Sequence, residues 1–202
     1  MNFTLEHEDL SSYLSSSKYV DFDKKIIQDK ANELFHIGFN EIDKVKIAFE
    51  YVRDEISHSW DIQSERITRT ASEVLKYKEG ICYAKSMLLA GLLRYESIPT
   101  GFCYQRLTLG DTPETGYCIH ALNAVFLSSI NNWIRIDARG NTNGKSAQFF
   151  IDKEQLAFPI RIEYDEIDYP TIFAEPIKIT TEVLESSTNC IEMVKWKLPT
   201  SL

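Results

Sequence analysis

The sequence lacks any run of apolar residues long enough to cross a membrane. The longest one, from Met87 to Leu93, is much shorter than the roughly 18 residues that a membrane-spanning helix needs. The N-terminal residues contain neither a basic stretch nor an apolar stretch, so they do not resemble a secretory signal. We therefore expect a cytoplasmic protein with no membrane partner, and the initial Met1 argues against a leader that has been removed.

The sequence also lacks an excess of basic residues. It contains 22 Lys and Arg against 30 Asp and Glu, which gives a formal net charge of −8. Because an acidic surface repels phosphate backbones, nucleic acid is not an expected partner. Neither a G-x-x-x-x-G-K nor a G-x-G-x-x-G motif is present, so the sequence gives no support for nucleotide binding.

Cysteines are few and widely spaced. The four of them are Cys82, Cys103, Cys118 and Cys190, and no two form a C-x-x-C pair. This spacing excludes a zinc knuckle or a thioredoxin-like motif, and in a reducing compartment we expect no disulfides. Cys118, His120 and Cys82 lack a convincing fourth ligand, so we expect no metal site.

No internal repeat, low-complexity tract or linker rich in Pro and Gly divides the chain. A length of 202 residues, 44% of them hydrophobic, fits a single domain with a sizeable core. We expect this core to cover about residues 41–141, with an N-terminal helical segment at 1–40 and a C-terminal extension at 142–202.

The first half of the chain has the apolar periodicity of helices, with apolar side chains three and four positions apart. Thr70 and Glu73 have the S/T-x-x-E spacing of a capping box ahead of a short helix, which we expect Gly80 to end. The helices predicted in this half cover residues 23–37, 41–56 and 71–77.

A further helix is predicted from Cys82 to the turn before Pro99. It is apolar almost all round, so we expect it to be central and buried. A helix N-terminus carries free N–H groups and about half a positive charge, which favour a thiolate and can bind the oxyanion formed at a carbonyl. From its position alone, Cys82 is either an activated nucleophile or a small buried apolar residue.

The second half of the chain has the alternation of strands, and its final part is weakly helical at best over residues 180–194. Together with the first half, this predicts an α+β fold, in which a helical layer with a buried central helix packs on an antiparallel sheet. The predicted strands cover residues 101–109, 118–127 and 133–137, with edge strands at 149–151 and 160–164.

A histidine and an aspartate occupy the two arms of one predicted hairpin. His120 lies on the first strand, and Asp137 ends the second. The turn at residues 128–132 predicts a register in which the two are opposite or diagonal neighbours, so their side chains meet if they share a face. A carboxylate on one ring nitrogen fixes which nitrogen of the imidazole stays free to act as a base. Taken alone, His120 is more often a structural core histidine than a catalytic one, and Asp137 could equally be a residue that ends a strand or forms a turn.

Three stretches of the sequence are similar to the three blocks of the transglutaminase-like superfamily. In that family a G-x-C block precedes a long buried helix, a histidine opens a strand, and an aspartate closes the next strand shortly after a tryptophan. The corresponding residues here are Cys82, His120 and Asp137, with Trp133 as the tryptophan. The stretches are TASEVLKYKEGICYAKSMLLAGLLRYESIPT, CIHALNAVFL and NNWIRIDARGN.

This resemblance implies a papain-like fold and a thiol enzyme with Cys82 as nucleophile, His120 as its base and Asp137 as the group that orients the histidine. It implies acyl transfer on peptide or carboxamide bonds of a peptide or protein substrate, with no cofactor. We expect hydrolysis, because no feature of the sequence indicates a pocket for an amine acceptor. The alternatives are transamidation, acetyl transfer from acetyl-coenzyme A, which the acidic charge disfavours, and a protein-binding module without turnover.

Other residues have weaker indications of a role. The family often places a side-chain oxyanion donor before the nucleophile, and Trp60 and Gln63 are candidates by position. We expect the three cysteines other than Cys82 to be structural. The remaining histidines have no acidic or cysteine partner at a spacing that would indicate a catalytic or metal site. We therefore expect them on the surface: His7, His36 and His58.

Overall fold

The computed structural model describes residues 3–110 and 112–202, which combine helices and strands as the sequence predicts. The helices are α1 (Lys25–Leu34), α2 (Glu41–Glu55), α3 (Ala71–Tyr77), α4 (Cys82–Tyr95), α5 (Lys178–Ser186) and α6 (Cys190–Trp196). The strands are β1 (Thr4–Leu5), β2 (Ser57–His58), β3 (Glu79–Gly80), β4 (Thr100–Thr108), β5 (Tyr117–Leu127), β6 (Asn132–Ile136), β7 (Ile167–Asp168) and β8 (Thr171–Ile172).

The main sheet has the strand order β6-β5-β4-β7, and neighbouring strands are antiparallel. Asn123 on β5 pairs with Ile136 on β6. Asp137 follows Ile136 directly, so it lies diagonally from His120 on the same face, which is one of the arrangements that the turn allows. Two short parallel pairs, β1 with β8 and β2 with β3, connect distant parts of the chain.

Helix α4 is the central buried helix that the sequence predicts. Every residue from Tyr83 to Arg94 is buried, since α1, α2 and α3 pack on it and it packs on β4 and β5 in turn. No side chain in the described part of the chain caps its N-terminus, where Ile81 precedes Cys82. The first N–H groups of the helix have no intrahelical partner, so they remain available to bind an anion.

The prediction that Gly80 ends the third helix is wrong. Helix α3 ends at Tyr77, and Lys78 follows in the left-handed conformation with φ of 58°. Gly80 lies in β3, where it pairs with His58. A Cβ at this glycine would lie only 3.0 Å from Oγ1 of Thr68, so close packing explains the glycine better than helix termination does.

The predicted cap of this helix is present in part. Oγ1 of Thr70 accepts a hydrogen bond from the backbone N–H of Glu73 at 3.2 Å. The Glu73 carboxylate accepts from the backbone N–H of Arg69, at 2.8 Å, rather than from that of Thr70. The reciprocal half of the capping box is therefore replaced by a bond one residue earlier.

The chain after residue 141 differs most from prediction. Residues 149–151 do not form a strand in the described structure, and residues 162–164 form a short 3₁₀ helix within the segment predicted as a strand. The edge strand is instead β7, which pairs with β4. Residues 180–194, predicted to be weakly helical at best, lie largely in α5 and α6.

Tertiary burial explains why these two helices form. Several side chains of α5 are β-branched and have a low helix propensity, which weakens the signal in the sequence. Asn189 caps α6 by accepting from the N–H of Glu192 at 3.1 Å. The buried side chains of α5 are Thr180, Thr181, Val183 and Leu184.

Helix α6 and the segment after it are fixed beside His120 by backbone hydrogen bonds. The N–H of Cys190 donates to the carbonyl of Glu65 at 2.9 Å, and the N–H of Ile119 donates to the carbonyl of Pro199 at 2.8 Å. Ile119 directly precedes His120 on β5. The C-terminal segment therefore forms one wall of the space around the histidine.

Candidate active site

Cys82 is the first residue of α4 and is half-buried. The backbone directly ahead of it is held by the β2–β3 pair, in which the N–H of Ser59 donates to the carbonyl of Gly80 at 3.2 Å. The position of the thiol is therefore set by tertiary contacts as well as by the helix.

His120 and Asp137 form a buried hydrogen bond. Nε2 of His120 lies 2.9 Å from Oδ2 of Asp137, and the residues are only 4% and 1% exposed. The backbone N–H groups of Arg139 and Ala157 donate to the same carboxylate, each at 3.1 Å. An ionised carboxylate can only accept, so Nε2 carries the proton of this bond and Nδ1 is the ring atom left for Cys82.

The imidazole of His120 interacts with Cys82 as well as with Asp137. Burial by itself would lower the pKa of His120, but the charges and hydrogen bonds of Asp137 and Cys82 raise it to about 10. Burial by itself would raise the pKa of Asp137, but His120 and the two backbone donors lower it overall. The fold thus brings the three predicted residues into one cluster, with the imidazole between the thiol and the carboxylate.

Two residues of the C-terminal part support this cluster. The ring of Phe158 packs edge-on against His120, with 4.9 Å between ring centroids and 74° between planes. Ala157, the preceding residue, supplies one of the N–H groups on Asp137. Neither residue lies in the three sequence blocks, so no motif pointed to them.

The two oxyanion candidates occupy different environments. Trp60 lines the cleft next to Cys82. Gln63 is exposed in a turn with φ of 52°, and its side-chain amide donates to the carbonyl of Trp60 at 2.5 Å. Gln63 therefore stabilises the turn and does not line the cleft, a distinction that sequence spacing alone could not make.

The prediction that His58 lies on the surface is wrong. Because β2 pairs with β3, His58 lines the same cleft as Cys82 and His120. Its Nδ1 is buried and has no hydrogen-bond partner among the described residues. Burial, followed by the charge of Arg139, lowers the pKa of His58 well below its usual value, so the ring is neutral at neutral pH. The other two histidines of this prediction, His7 and His36, are exposed as expected.

A buried lysine connects the elements of the site. Lys85 lies on α4, one turn after the cysteine, and is 1% exposed. Its Nζ donates to the carbonyl of Ile56 at 2.5 Å and to the carbonyl of Arg139 at 2.9 Å. Burial and then the charge of Arg139 lower the pKa of Lys85 to about 7. The lysine thereby links α4 to the segments that carry His58 and Asp137.

The other cysteines are in different surroundings from Cys82. Cys103 and Cys190 are buried, while Cys118 is half-buried and lines the cleft. Burial raises the pKa of Cys103 and of Cys118 to about 12 and that of Cys190 to about 11, so all three thiols are protonated at neutral pH. Within the described residues, no three His, Cys, Asp or Glu side chains are grouped so that they could hold a metal ion.

The comparison with protein families agrees with this geometry. The model for the transglutaminase-like superfamily matches residues 28–138, more than half of the chain, and the range includes Cys82, His120 and Asp137. The chain belongs to the transglutaminase-like superfamily. No curated protein matches it. All helices of this transglutaminase-like chain, as far as the structure describes it, are too short or too polar to span a bilayer.

Solved structures with a similar fold exist. A "putative cysteine protease" from Cytophaga hutchinsonii superposes with a TM-score of 0.52 and 22% identity over 66% of this chain and 43% of that protein. A second structure, of a protein named a TGase, gives a TM-score of 0.44 and 17% identity over 76% of this chain and 42% of that protein. The transglutaminase-like chain thus spans less than half the length of either protein, and the first likeness shows a shared fold.

The raised pKa of His120 predicts a pH-dependent contribution to stability. Since the folded pKa of about 10 exceeds the ordinary value of 6.5, the contribution is present in full below pH 6.5 and is lost as the pH rises toward 10. We expect the free energy of unfolding of the wild type to exceed that of a His120→Gln variant most at about pH 6, and the difference to shrink up to about pH 10.

Urea unfolding of both proteins across this pH range measures the difference. Lys85, whose pKa is lowered in the folded state, has the opposite pH dependence, but it is present in both proteins and cancels. A difference that stays constant or grows as the pH rises would contradict the raised pKa of His120.

Proposed function

We propose that this transglutaminase-like chain is a cysteine hydrolase that cleaves peptide or carboxamide bonds through Cys82, His120 and Asp137. The observation that carries the proposal is the hydrogen bond of 2.9 Å between Asp137 and Nε2 of His120, which leaves Nδ1 of a buried imidazole for the thiol. This is the arrangement that an activated nucleophile requires: thiol, base and a group that orients the base.

Before the first step, Nδ1 of His120 holds the proton that the Cys82 thiol has given up. The imidazolium is favoured by its raised pKa, and its charge stabilises the thiolate beside it. The thiolate sulfur attacks the carbonyl carbon of the substrate and forms a tetrahedral intermediate. The uncapped N–H groups at the start of α4 would bind the oxyanion of this intermediate.

In the second step, the C–N bond of the intermediate breaks while His120 gives its proton to the leaving amine. The acyl group remains on Sγ of Cys82 as a thioester. His120 then takes a proton from water, whose oxygen attacks the thioester carbonyl, and the C–S bond breaks as the carboxylic acid leaves. Asp137 stays ionised throughout and holds the ring in one orientation.

The lining of the cleft supports water rather than an amine as the acceptor. Among the described residues that line it there is no Asp or Glu, while Arg139 and Lys195 are cationic. An amine acceptor is protonated in solution and is attracted by carboxylates. We therefore propose hydrolysis in preference to transamidation, without a cofactor.

Alkylation with substoichiometric iodoacetamide at neutral pH, followed by peptide mass spectrometry, tests the triad. We expect the adduct on Cys82, since the thiols of the other three cysteines have raised pKa values. A His120→Ala variant is expected to slow the labelling of Cys82 about tenfold or more, because general-base assistance contributes at least that much.

The control variant for this experiment is His36→Ala, which removes an exposed imidazole instead of the buried one. It should leave the labelling of Cys82 unchanged. Equal labelling of all four cysteines, or labelling of Cys82 that is insensitive to His120→Ala, would refute the hydrolase and leave a binding module of the same fold.

A further inference from the structure

The cleft next to Cys82 is large and mostly apolar. Its volume is about 570 Å³, within the range of sites that enclose a small ligand or a large side chain. Its lining comes from several parts of the chain, among them the start of α4, the start of β5 and the C-terminal helix. Large apolar side chains of the lining include Trp60, Leu107, Leu109, Phe158 and Trp196.

Two of these side chains are exposed although they are large and apolar. Trp196, the last residue of α6, is 81% exposed, and Leu109 is 43% exposed. Val194 and Leu198 lie on the same wall as Trp196. Apolar surface of this kind gains free energy when a ligand covers it, so the walls favour an apolar occupant over water.

The apolar wall on α6 is held in place before any ligand binds. The backbone bonds from Cys190 to Glu65 and from Ile119 to Pro199 anchor its two ends. A wall that is already ordered costs little conformational entropy on binding. The cleft is therefore suited to select by shape and polarity.

The charges of the lining disfavour a basic occupant. Arg139 is paired with Asp61, with one of its hydrogen bonds at 2.8 Å, and Lys195 is exposed at the edge of the cleft. The described lining contains no carboxylate, although the protein carries a net charge of −8. A cationic side chain in the cleft would lose water without gaining an ionic partner.

We propose that the cleft selects substrates with a large, uncharged apolar side chain, aromatic or branched aliphatic, next to the bond that Cys82 attacks, and that it rejects basic side chains. This inference rests on the proposed function, because it takes Cys82 as the attacking group. It adds the chemical class of the substrate.

A series of short peptidyl acyloxymethyl ketones that differ in one side chain tests the proposal on the intact chain. The side chains are those of Phe, Leu, Gly and Lys, and the measured quantity is the rate constant for modification of Cys82. We expect the Phe and Leu probes to react about 10- to 100-fold faster than the Gly probe, the range given by burial of one large apolar side chain. The Lys probe should react no faster than the Gly probe.

A Trp196→Ala variant should reduce the ratio of the Phe rate to the Gly rate several-fold, since it removes part of the apolar wall. Its matched control is Ile162→Ala, because Ile162 is also 81% exposed and lies outside the cleft. The control should leave the ratio unchanged.

The possible results separate this inference from the proposed function. Equal rates across the series, combined with selective iodoacetamide labelling of Cys82, would overturn the substrate class and leave the hydrolase intact. A Lys probe that reacts fastest would do the same. Failure of every reagent to modify Cys82 would overturn both.

Discussion

Replacing Asp137 by asparagine is expected to lower the rate of hydrolysis by about 10²- to 10⁴-fold, the range for a positioned acid–base group. Three donors face this carboxylate: Nε2 of His120 and the backbone N–H groups of Arg139 and Ala157. An asparagine has one acceptor oxygen and an NH₂ group, so at least one donor would face another donor. The amide also lacks the charge that raises the pKa of His120, so the ring loses both its orientation and its affinity for the proton.

Hydrolysis of a fluorogenic peptide amide by the wild type and the variant measures this effect, and the rate of Cys82 alkylation gives a second value that does not depend on the substrate. Asp152→Asn, at an exposed position, is the matched control and should retain the wild-type rate. If a folded Asp137→Asn protein lost less than tenfold in both measurements, the carboxylate would not act through His120.

Replacing Lys85 by methionine is expected to lower the free energy of unfolding by about 2–4 kcal/mol. The methionine fills a similar volume, but it cannot donate to the carbonyls of Ile56 and Arg139, which the Lys85 ammonium now binds. A buried carbonyl without a donor costs about 1–3 kcal/mol, and two are affected. Removal of a buried charge offsets part of this cost.

Urea unfolding of Lys85→Met at neutral pH measures the loss. Lys46→Met is a suitable control, because Lys46 is an exposed lysine on helix α2 and its replacement should change the stability by less than about 0.5 kcal/mol. A loss of less than about 1 kcal/mol for Lys85→Met would show that water or a local shift satisfies the two carbonyls.

The parts of the fold that the sequence predicts are those determined by local pattern. Helix α4 is apolar on almost all sides, which favours burial, and the hairpin of β5 and β6 is indicated by a short turn and by alternation. The turn of this hairpin brought His120 and Asp137 close to each other but left open whether they share a face, and the motif blocks indicated all three residues, including Cys82. These three residues of the candidate site could therefore be identified from the sequence.

The surroundings of these residues were not predictable in the same way. His58 enters the cleft through a two-residue parallel pairing, and Phe158 and Ala157 approach from an irregular segment. Contacts of this kind do not produce a periodic pattern in the sequence. The role of Lys85 could not be predicted either, because its partners are backbone carbonyls, which have no sequence signature.

The contribution of the C-terminal segment to the cleft has a consequence during synthesis. A nascent chain that has emerged only as far as Asp137 contains the thiol, the imidazole and the carboxylate. It still lacks the N–H of Ala157, the ring of Phe158 and the wall formed by α6. Since domains generally fold as units and the N-terminal part is synthesised first, the cleft can be complete only after Trp196 has emerged. The C-terminal segment is thus the last part of the cleft to be made.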